Sequence, residues 1–391
     1  MMRPSHLAMA GLQLVAALLI NAPAPGSAAA PVPSAPSHSA GVAVPAPPAA
    51  PQPKPVEAAP RAEVRLNPAL VYPDAVLSED TVWRGEVLVE GALTIAPQAT
   101  LTVEPGTVVR FRRKGPQAPC LVVQGRIVAA GTRETPVLFS SHFAVPAPSD
   151  WQGIMLLGSE KKNLLENCRI EGAQTGLEAL FSSVTLKNVR AERSATGMRF
   201  QDTLVTMEGG GASDCDTGLS LAQSEATLRG IALETNRLGL VAKRSSIYLF
   251  QGNLSGNQAA AFSGADCRVR IEGGAVTGNG SGVTLLQCEG GVSGARVAKN
   301  REYGLSLTAS RIRLNGNQVT GNGNNGIIVF DGSSVAWNNA IYENAGYDLY
   351  NAGTEEFRAP GNWWGALGPK IYDNSGRGGV LYVPVLSARP Q

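Results

Sequence analysis

The stretch VTGNGNNGIIVF, residues 319–330, sets turn-forming residues directly against a short apolar run. Its three Asn and three Gly adopt the left-handed backbone conformation of tight turns at low cost. The run that follows is rich in β-branched residues and too short for a helix, so it is typical of a buried strand. Because a single unit of this kind is weak evidence, the fold depends on whether the unit recurs.

The unit recurs with a period of about 21 to 22 residues. In Gly239–Asn257 the apolar residues fall in three groups, at Leu240 and Ala242, at Ile247 and Leu249, and at Leu254, with turn residues between the groups. Each unit therefore predicts three short strands and no helix. A small residue is predicted to open each successive unit, at Gly153, Gly176, Gly197, Gly218, Gly239, Ala260, Gly282, Gly304, Gly326 and Gly346.

Strands this short do not form stable hairpins alone, so each must pair with the equivalent strand of the next unit. We therefore predict an all-β fold, a single-stranded parallel β-helix (solenoid) of about a dozen coils of about 21–22 residues, capped at both ends. Leucine-rich repeats fix Leu at a spacing that does not recur here, and β-propeller blades are about twice as long.

Stacked coils should align like residues into ladders. An Asn ladder is predicted with Cys215 at its head, formed by Asn236, Asn257, Asn279, Asn300, Asn322 and Asn344. A ladder of small residues is predicted from Ser182, Thr203, Ser224, Ser245, Cys267, Cys288, Ser310 and Ser333. The five Cys are interpreted as buried structural thiols, and a disulfide between Cys267 and Cys288 is the alternative.

The N-terminal part has a different composition. Residues 1–30 are predicted to be a secretory signal peptide, because a short basic start precedes an apolar stretch that is too short for a membrane span. Residues 31–65 are rich in Pro and Ala and are predicted to be a disordered spacer. We expect an exported protein, periplasmic or extracellular, without a transmembrane domain.

The β-helix domain is assigned to residues 66–391. It divides into short first coils at about 82–150, regular coils at about 151–350, and a C-terminal cap at about 351–391 in which Trp363 and Trp364 cover the last coil.

Three segments carry a resemblance to a known family: LTVEPGTVVRF with LVVQGRIVAAGTRETPVLFSS and WQGI, the Asn-spaced coils, and the closing GNWWGALGPKIYD. Over about Val82 to Leu386 the chain resembles the right-handed parallel β-helix proteins of the pectin-lyase-like superfamily, as found in bacterial envelope and secreted proteins. The resemblance implies the fold. It leaves the function open, since this superfamily includes lyases, hydrolases, epimerases, adhesins and binding proteins.

The residues that family enzymes use are not found in the sequence. Family hydrolases carry Gly-His-Gly and Arg-Ile-Lys elements, whereas the only His residues here are His6, His38 and His142, and His142 is expected at the surface without an acidic partner. Calcium-dependent lyases need converging carboxylates, but the acidic residues expected to face outward are scattered. They are Glu178, Glu208, Glu225, Glu289 and Asp348. No metal and no cofactor are predicted.

The outer surface offers the candidate site. Outward positions of the second strands are predicted to combine Arg forks, which suit carboxylates and sulfates, with aromatic rings, which suit sugar faces. A net charge of +2 gives no overall signature of nucleic-acid binding. The predicted ligand-binding residues are Tyr248, Phe250, Arg268, Arg270, Arg311, Arg313 and Trp337. The alternative is that these positions form an ordinary solvated edge with no ligand.

First-strand positions expected to face outward are Met155, Val241, Phe262 and Ile328. The functional prediction is a non-catalytic binding or assembly module of the cell envelope, with an acidic glycan or an envelope protein as partner. The alternative is a lyase or hydrolase that acts on an acidic polysaccharide.

Overall fold

The structure is a computed structural model that describes residues 61–159 and 161–390. The predicted signal peptide (1–30) and residues 31–60 of the predicted spacer lie outside these described residues. The described part consists of β-strands, turns and a single 3₁₀ turn at Asn374–Gly376. None of its helical segments has the length and apolar character needed to cross a membrane.

The strands, in chain order, are β1 (Leu70–Tyr72), β2 (Ala75–Leu77), β3 (Thr81–Trp83), β4 (Glu86–Val89), β5 (Ala92–Ile95), β6 (Thr100–Val103), β7 (Val108–Phe111), β8 (Cys120–Val123), β9 (Arg126–Ala130), β10 (Val137–Ser141), β11 (Gly153–Leu157), β12 (Asn163–Glu166), β13 (Cys168–Glu171), β14 (Thr175–Leu180), β15 (Ser183–Glu192), β16 (Thr196–Gln201), β17 (Leu204–Ser213), β18 (Thr217–Ala222), β19 (Glu225–Arg229), β20 (Ala232–Glu234), β21 (Leu238–Lys243), β22 (Ser246–Phe250), β23 (Asn253–Ser255), β24 (Ala260–Ala265), β25 (Arg268–Glu272), β26 (Ala275–Thr277), β27 (Ser281–Leu286), β28 (Glu289–Ser293), β29 (Arg296–Ala298), β30 (Leu305–Thr308), β31 (Arg311–Asn315), β32 (Gln318–Thr320), β33 (Ile327–Phe330), β34 (Val335–Trp337), β35 (Ala340–Tyr342), β36 (Leu349–Asn351), β37 (Phe357–Arg358), β38 (Ile371–Tyr372) and β39 (Val380–Leu381).

These strands stack into a parallel β-solenoid of about 14 turns, which confirms the predicted fold class. One sheet contains 14 strands, one from each coil, and is called sheet 1. The second and third strands of the coils form a 25-stranded sheet, called sheet 2. Every ladder between named strands is parallel, so successive coils lie about 4.8 Å apart along the solenoid axis.

The core follows the register of sheet 1. Leu240 pairs with Phe262, and Phe262 pairs with Val283, so Phe262 is a fully buried core residue. Its prediction as an outward residue was wrong. The error arose because Ala260 was taken as the start of its coil, whereas the register places Ala261 at the position of Gly239. The other three residues predicted to face outward, Met155, Val241 and Ile328, are half-buried.

The ends of the solenoid differ from the predicted outline. Ala92 pairs with Cys120, and Cys120 pairs with Gly153, so these early coils are longer than the regular ones. At the other end, register pairing continues to β39. Trp364 is therefore buried in the core of the final coils rather than lying over the last one. Trp363 tilts against Tyr342 at a centroid distance of 5.0 Å.

A continuous Asn ladder runs through the buried turn of six coils. The side-chain amide of each Asn donates to the side-chain oxygen of the next, at 3.1, 2.9, 2.9, 3.0 and 2.8 Å from Asn236 through to Asn344. Each amide also donates to a carbonyl in the preceding coil, as from Asn279 Nδ2 to Leu254 O at 3.0 Å. The backbone N–H of each Asn also donates to the side-chain oxygen of the next, as from Asn257 to Asn279 at 2.9 Å, so the ladder satisfies buried N–H groups of the turn.

The Asn ladder ends on a buried carboxylate. Asn344 Nδ2 donates to Asp348 Oδ1 at 3.0 Å, and Asp348 is buried, so its prediction as an outward acidic residue was wrong. Ile327 pairs with Leu349, which places Asp348, not Gly346, at the position of Gly326. Burial raises the pKa of Asp348 above the usual carboxyl value.

A second Asn ladder was missed from the sequence. Asn317 donates through its side chain to Asn339 at 2.9 Å, and Asn339 donates in turn to Asn362 at 2.9 Å. Asn317, Asn339 and Asn362 are one coil apart from each other, so their spacing follows the repeat and could have been recognised in the sequence. In the ladder of small residues the final hydroxyl comes from Ser334, which accepts from Ile312 N–H at 2.9 Å, while Ser333 is exposed.

The environment of His142 was also predicted wrongly. This side chain is buried, and its Nε2 lies 3.3 Å from the Glu63 carboxylate. Glu63 belongs to the first described segment of the chain, which pairs antiparallel with Phe143 several coils later in sequence. Arg61 anchors the same segment through Asp150 and stacks over the Phe143 ring at 4.0 Å.

Candidate ligand-binding face

The candidate site lies on the second strands of six consecutive coils. Their inward residues, such as Ile247 and Leu249 of β22, are fixed in the core, so the residues between them must face solvent. We call the outward side chains of β19, β22, β25, β28, β31 and β34 the arginine face. Because register is kept from coil to coil, these side chains form columns parallel to the solenoid axis.

Two columns carry the predicted arginines. Along one column Arg268 is followed by Glu289 and then Arg311, and along the next Arg270 is followed by Gly291 and then Arg313. The members of each Arg pair are therefore two coils apart, about 9.6 Å along the axis. Glu289 lies between Arg268 and Arg311, whereas Gly291 lies between Arg270 and Arg313. Because glycine has no side chain, the surface is recessed between Arg270 and Arg313.

An open groove of about 780 Å³ runs along the turn that precedes these strands. Arg268 and Arg311 line the groove. Arg244 lines it as well, although it was not among the predicted ligand-binding residues. The other five predicted residues lie farther along the same strands and are not part of the groove wall. The remaining lining residues are Ser245, Ser246, Asp266, Cys267, Gln287, Cys288, Glu289, Ala309, Ser310, Gly332 and Ser333.

Ion pairs divide the predicted arginines into two groups. Arg268 donates from Nε and Nη2 to Glu289 Oε1, at 2.9 and 2.8 Å. Arg270 Nε donates to Glu272 at 2.6 Å. Over residues 61–159 and 161–390, neither Arg311 nor Arg313 has a carboxylate within ion-pair distance. These last two guanidinium groups therefore remain available to an anion.

Two of the predicted aromatic residues, Tyr248 and Phe250, lie against arginine side chains. The guanidinium groups of Arg229 and Arg270 each lie 5.2 Å from the Tyr248 ring centroid, and Arg229 also lies 5.7 Å from the Phe250 centroid. Tyr248 therefore makes cation–π contacts with two arginines, and its binding of a sugar stays a prediction. Arg229 was missed, although it pairs with Phe250 one coil later and its position fits the repeat.

The two acidic groups beside the predicted arginines are engaged rather than free to act as bases. Glu272 accepts from the Tyr248 hydroxyl at 2.9 Å as well as from Arg270, and these contacts lower its pKa, with the Tyr248 hydrogen bond as the larger cause. Glu289 is held by Arg268. Among the described residues no group of three or more His, Cys, Asp or Glu side chains is placed to hold a metal ion.

Trp337 stands apart from the other aromatic residues. From Arg229 its column passes through Phe250, Glu272, Ser293 and Asn315 before it reaches Trp337. Four coil-to-coil steps separate the two aromatic residues by about 19 Å. The Trp337 side chain is exposed at the far edge of the arginine face. The structure thus gathers the predicted residues on one face but does not bring them into one pocket.

Comparison with known proteins agrees with this architecture. Residues 75–211 match the family model described as a pectate-lyase like beta helix domain, and residues 217–362 match the one described as a right handed beta helix region. No curated protein matches the chain.

Solved structures that match this chain include two epimerases and a lyase. The periplasmic alginate epimerase AlgG is 12% identical, with 78% of each chain covered and a TM-score of 0.44. The A-module of the Azotobacter vinelandii mannuronan C-5 epimerase AlgE4 is 12% identical over 78% of this chain and 90% of that one, with a TM-score of 0.40. Pectate lyase Pel9A is 12% identical over 75% and 71%, with a TM-score of 0.26.

Together the two family models account for nearly all of the solenoid between residues 75 and 362. The second of them also supplies the right-handed sense of the coil, which the repeat period leaves open. The chain belongs to the right-handed parallel β-helix proteins of the pectin-lyase-like superfamily.

Proposed function

We propose that this chain is an exported, non-catalytic module of the cell envelope that binds an acidic polysaccharide along the arginine face. The observation that carries the proposal is the pair Arg311 and Arg313, two outward guanidinium groups of one strand without an acidic partner among the described residues. A planar fork of N–H donors fits carboxylates and sulfates in a bidentate manner.

The surroundings of this pair support a chain-like ligand. Arg311 lines the open groove with Arg244 and Arg268, and Arg313 lies beside it on the same strand. A polymer that follows the solenoid axis would meet a new row of outward side chains about every 4.8 Å. The matched family model is named for a pectate lyase, which supports a polysaccharide as the ligand class.

The alternative function is a lyase or hydrolase that acts on the same class of ligand. Such chemistry needs a carboxylate or another base that is free to move a proton. Glu272 and Glu289 are held by Arg270 and Arg268. Glu225 of β19 and Asp266 of the groove wall have no ion pair among the described residues, so the proposal of binding rests on the arginines, and the search for products in the test below distinguishes binding from cleavage.

The test is the double variant Arg311→Ala with Arg313→Ala in the full chain. We expect its affinity for polygalacturonate, alginate or heparin to fall about tenfold or more, because each charged hydrogen bond contributes about 1.5–3 kcal/mol. Affinity is measured by titration calorimetry at two salt concentrations, with dextran as the uncharged polymer, and the polysaccharide is examined afterwards for shortened or unsaturated chains.

The matched control is Arg133→Ala with Arg296→Ala, which removes two exposed arginines outside the arginine face and changes the net charge equally. Equal losses in the two double variants would mean that binding follows net charge and not this face. Shortened or unsaturated products with the unmodified protein would establish the enzymatic alternative instead.

A further inference from the structure

The ladder of small residues changes chemistry at two adjacent coils. Elsewhere along it a hydroxyl oxygen accepts a backbone N–H from the preceding coil, as Ser245 Oγ does from Ser224 at 3.2 Å and Ser310 Oγ does from Cys288 at 3.0 Å. At the two central rungs the side chains are the thiols of Cys267 and Cys288. Sulfur is a weaker acceptor than oxygen, so the ladder alone does not explain two successive thiols.

The two thiols lie directly beside one another. Arg268 pairs in register with Glu289, which places the preceding residues, Cys267 and Cys288, side by side on neighbouring coils. Cys267 N–H points at Cys288 Sγ at 3.4 Å. Neighbouring parallel strands set such Cα atoms about 4.8 Å apart, and disulfides require about 4.4–6.8 Å.

The pair also lies on the wall of the groove described above. Both residues are among its lining groups, together with the guanidinium groups of Arg244, Arg268 and Arg311. Both thiols are 2% exposed at the base of this wall, so a small reagent that enters the groove has to pass only a thin layer of side chains to reach them. The other three cysteines have no such setting, because they do not line this groove.

We propose that Cys267 and Cys288 are an oxidisable dithiol that closes into a disulfide and links two adjacent coils along the wall of the groove.

The oxidant is a peroxide. Cys267 thiolate attacks one peroxide oxygen and becomes a sulfenic acid while the O–O bond breaks and the other oxygen leaves as hydroxide, which is then protonated to water. Cys288 attacks the sulfenic sulfur, the S–S bond forms, and a second water leaves. Two thiols thus lose two protons and two electrons to one hydrogen peroxide.

The protonation behaviour of the pair agrees with this order of attack. The adjacent Cys288 side chain is the main cause that lowers the pKa of Cys267, to about 7. In contrast, burial raises the pKa of Cys120 and Cys215 to about 11 and that of Cys168 to about 12. The direction of the shift, down for Cys267 and up for the other three, agrees with Cys267 as the attacking thiol.

The experiment counts thiols in the full chain after reduction, brief hydrogen peroxide treatment at pH 7, removal of peroxide and unfolding. We expect the five thiols to fall to three, with peptide mapping showing one bridge between Cys267 and Cys288. The oxidised protein should unfold at a higher temperature than the reduced protein, because the bridge restricts the unfolded chain.

Three variants complete the test. Cys288→Ser should form no bridge and should leave Cys267 as a sulfenic acid that dimedone traps. Cys267→Ser should form no bridge and give far less dimedone product. Serine occupies the neighbouring rungs, so both variants should keep the ladder. Cys215→Ser is the control and should form the Cys267–Cys288 bridge as the unmodified protein does.

Retention of all five thiols in the unmodified protein, or a bridge through another cysteine, would overturn the proposal. Because no polysaccharide is used, its failure is distinguishable from failure of the proposed function.

Discussion

Replacing Gly211 with alanine is expected to lower the free energy of unfolding by about 3–5 kcal/mol. Gly211 lies in β17 with φ at +140°, a region that side chains rarely adopt, and an added Cβ would lie 1.7 Å from the carbonyl oxygen of Ala232 in the next coil. Relief of that overlap requires a shift between two stacked coils. Urea unfolding followed by circular dichroism measures the change in midpoint.

The control for this substitution is Gly115→Ala. Gly115 has open space around the position of an added Cβ and no left-handed φ, so this change should alter stability by no more than about 0.5 kcal/mol. Equal midpoints for the two variants would show that the coil contact at Gly211 is more tolerant than the geometry indicates. A change in the slope of the transition would instead point to loss of cooperativity between parts of the solenoid.

Replacing Asn279 with alanine is expected to cost about 2–4 kcal/mol. Asn279 Oδ1 accepts from both the backbone N–H and the side-chain amide of Asn257, each at 2.9 Å, and its own amide donates to Asn300. Alanine leaves the buried Asn257 N–H without an acceptor and interrupts the Asn ladder in the middle of the solenoid. Thermal and urea unfolding, with amide hydrogen exchange of the neighbouring coils, measure the effect.

Asn324→Ala provides the comparison, because Asn324 belongs to the same kind of turn but is exposed and stands outside the Asn ladder. It should change stability by only a few tenths of a kcal/mol. If Asn279→Ala were equally mild, the side-chain ladder would contribute little, and the stacking of the strands would have to account for the stability of these coils.

Much of the fold could be predicted from the sequence because a solenoid is nearly one-dimensional. Its main contacts join residues one coil apart, so the coil period specifies most of them. Two of the errors lay where glycine was used as the marker of a coil start. Ala261 and Asp348 occupy that position in two coils, and only strand register shows it.

The candidate site was predicted less completely. The alternation of inward and outward side chains along each strand, together with the repeat, was sufficient to predict four arginines on one face: Arg268, Arg270, Arg311 and Arg313. They did not show which guanidinium groups have partners, because ion pairing depends on side-chain reach and not on position along a strand. For the same reason the enclosure of Tyr248 between Arg229 and Arg270 was not foreseen.

The sequence by itself determined the all-β class, the coil period and the Asn rungs, since all three arise from local turn chemistry repeated at a fixed spacing. Only the tertiary structure decided contacts that the period does not encode. The Glu63–His142 pair joins segments that are several coils apart in the sequence. The alignment of Cys267 with Cys288 depends on the register of two coils. That Arg311 and Arg313 have no carboxylate partner within residues 61–159 and 161–390 depends on all the side chains around them. Such contacts depend on three-dimensional distance, which a linear pattern specifies only between neighbouring coils.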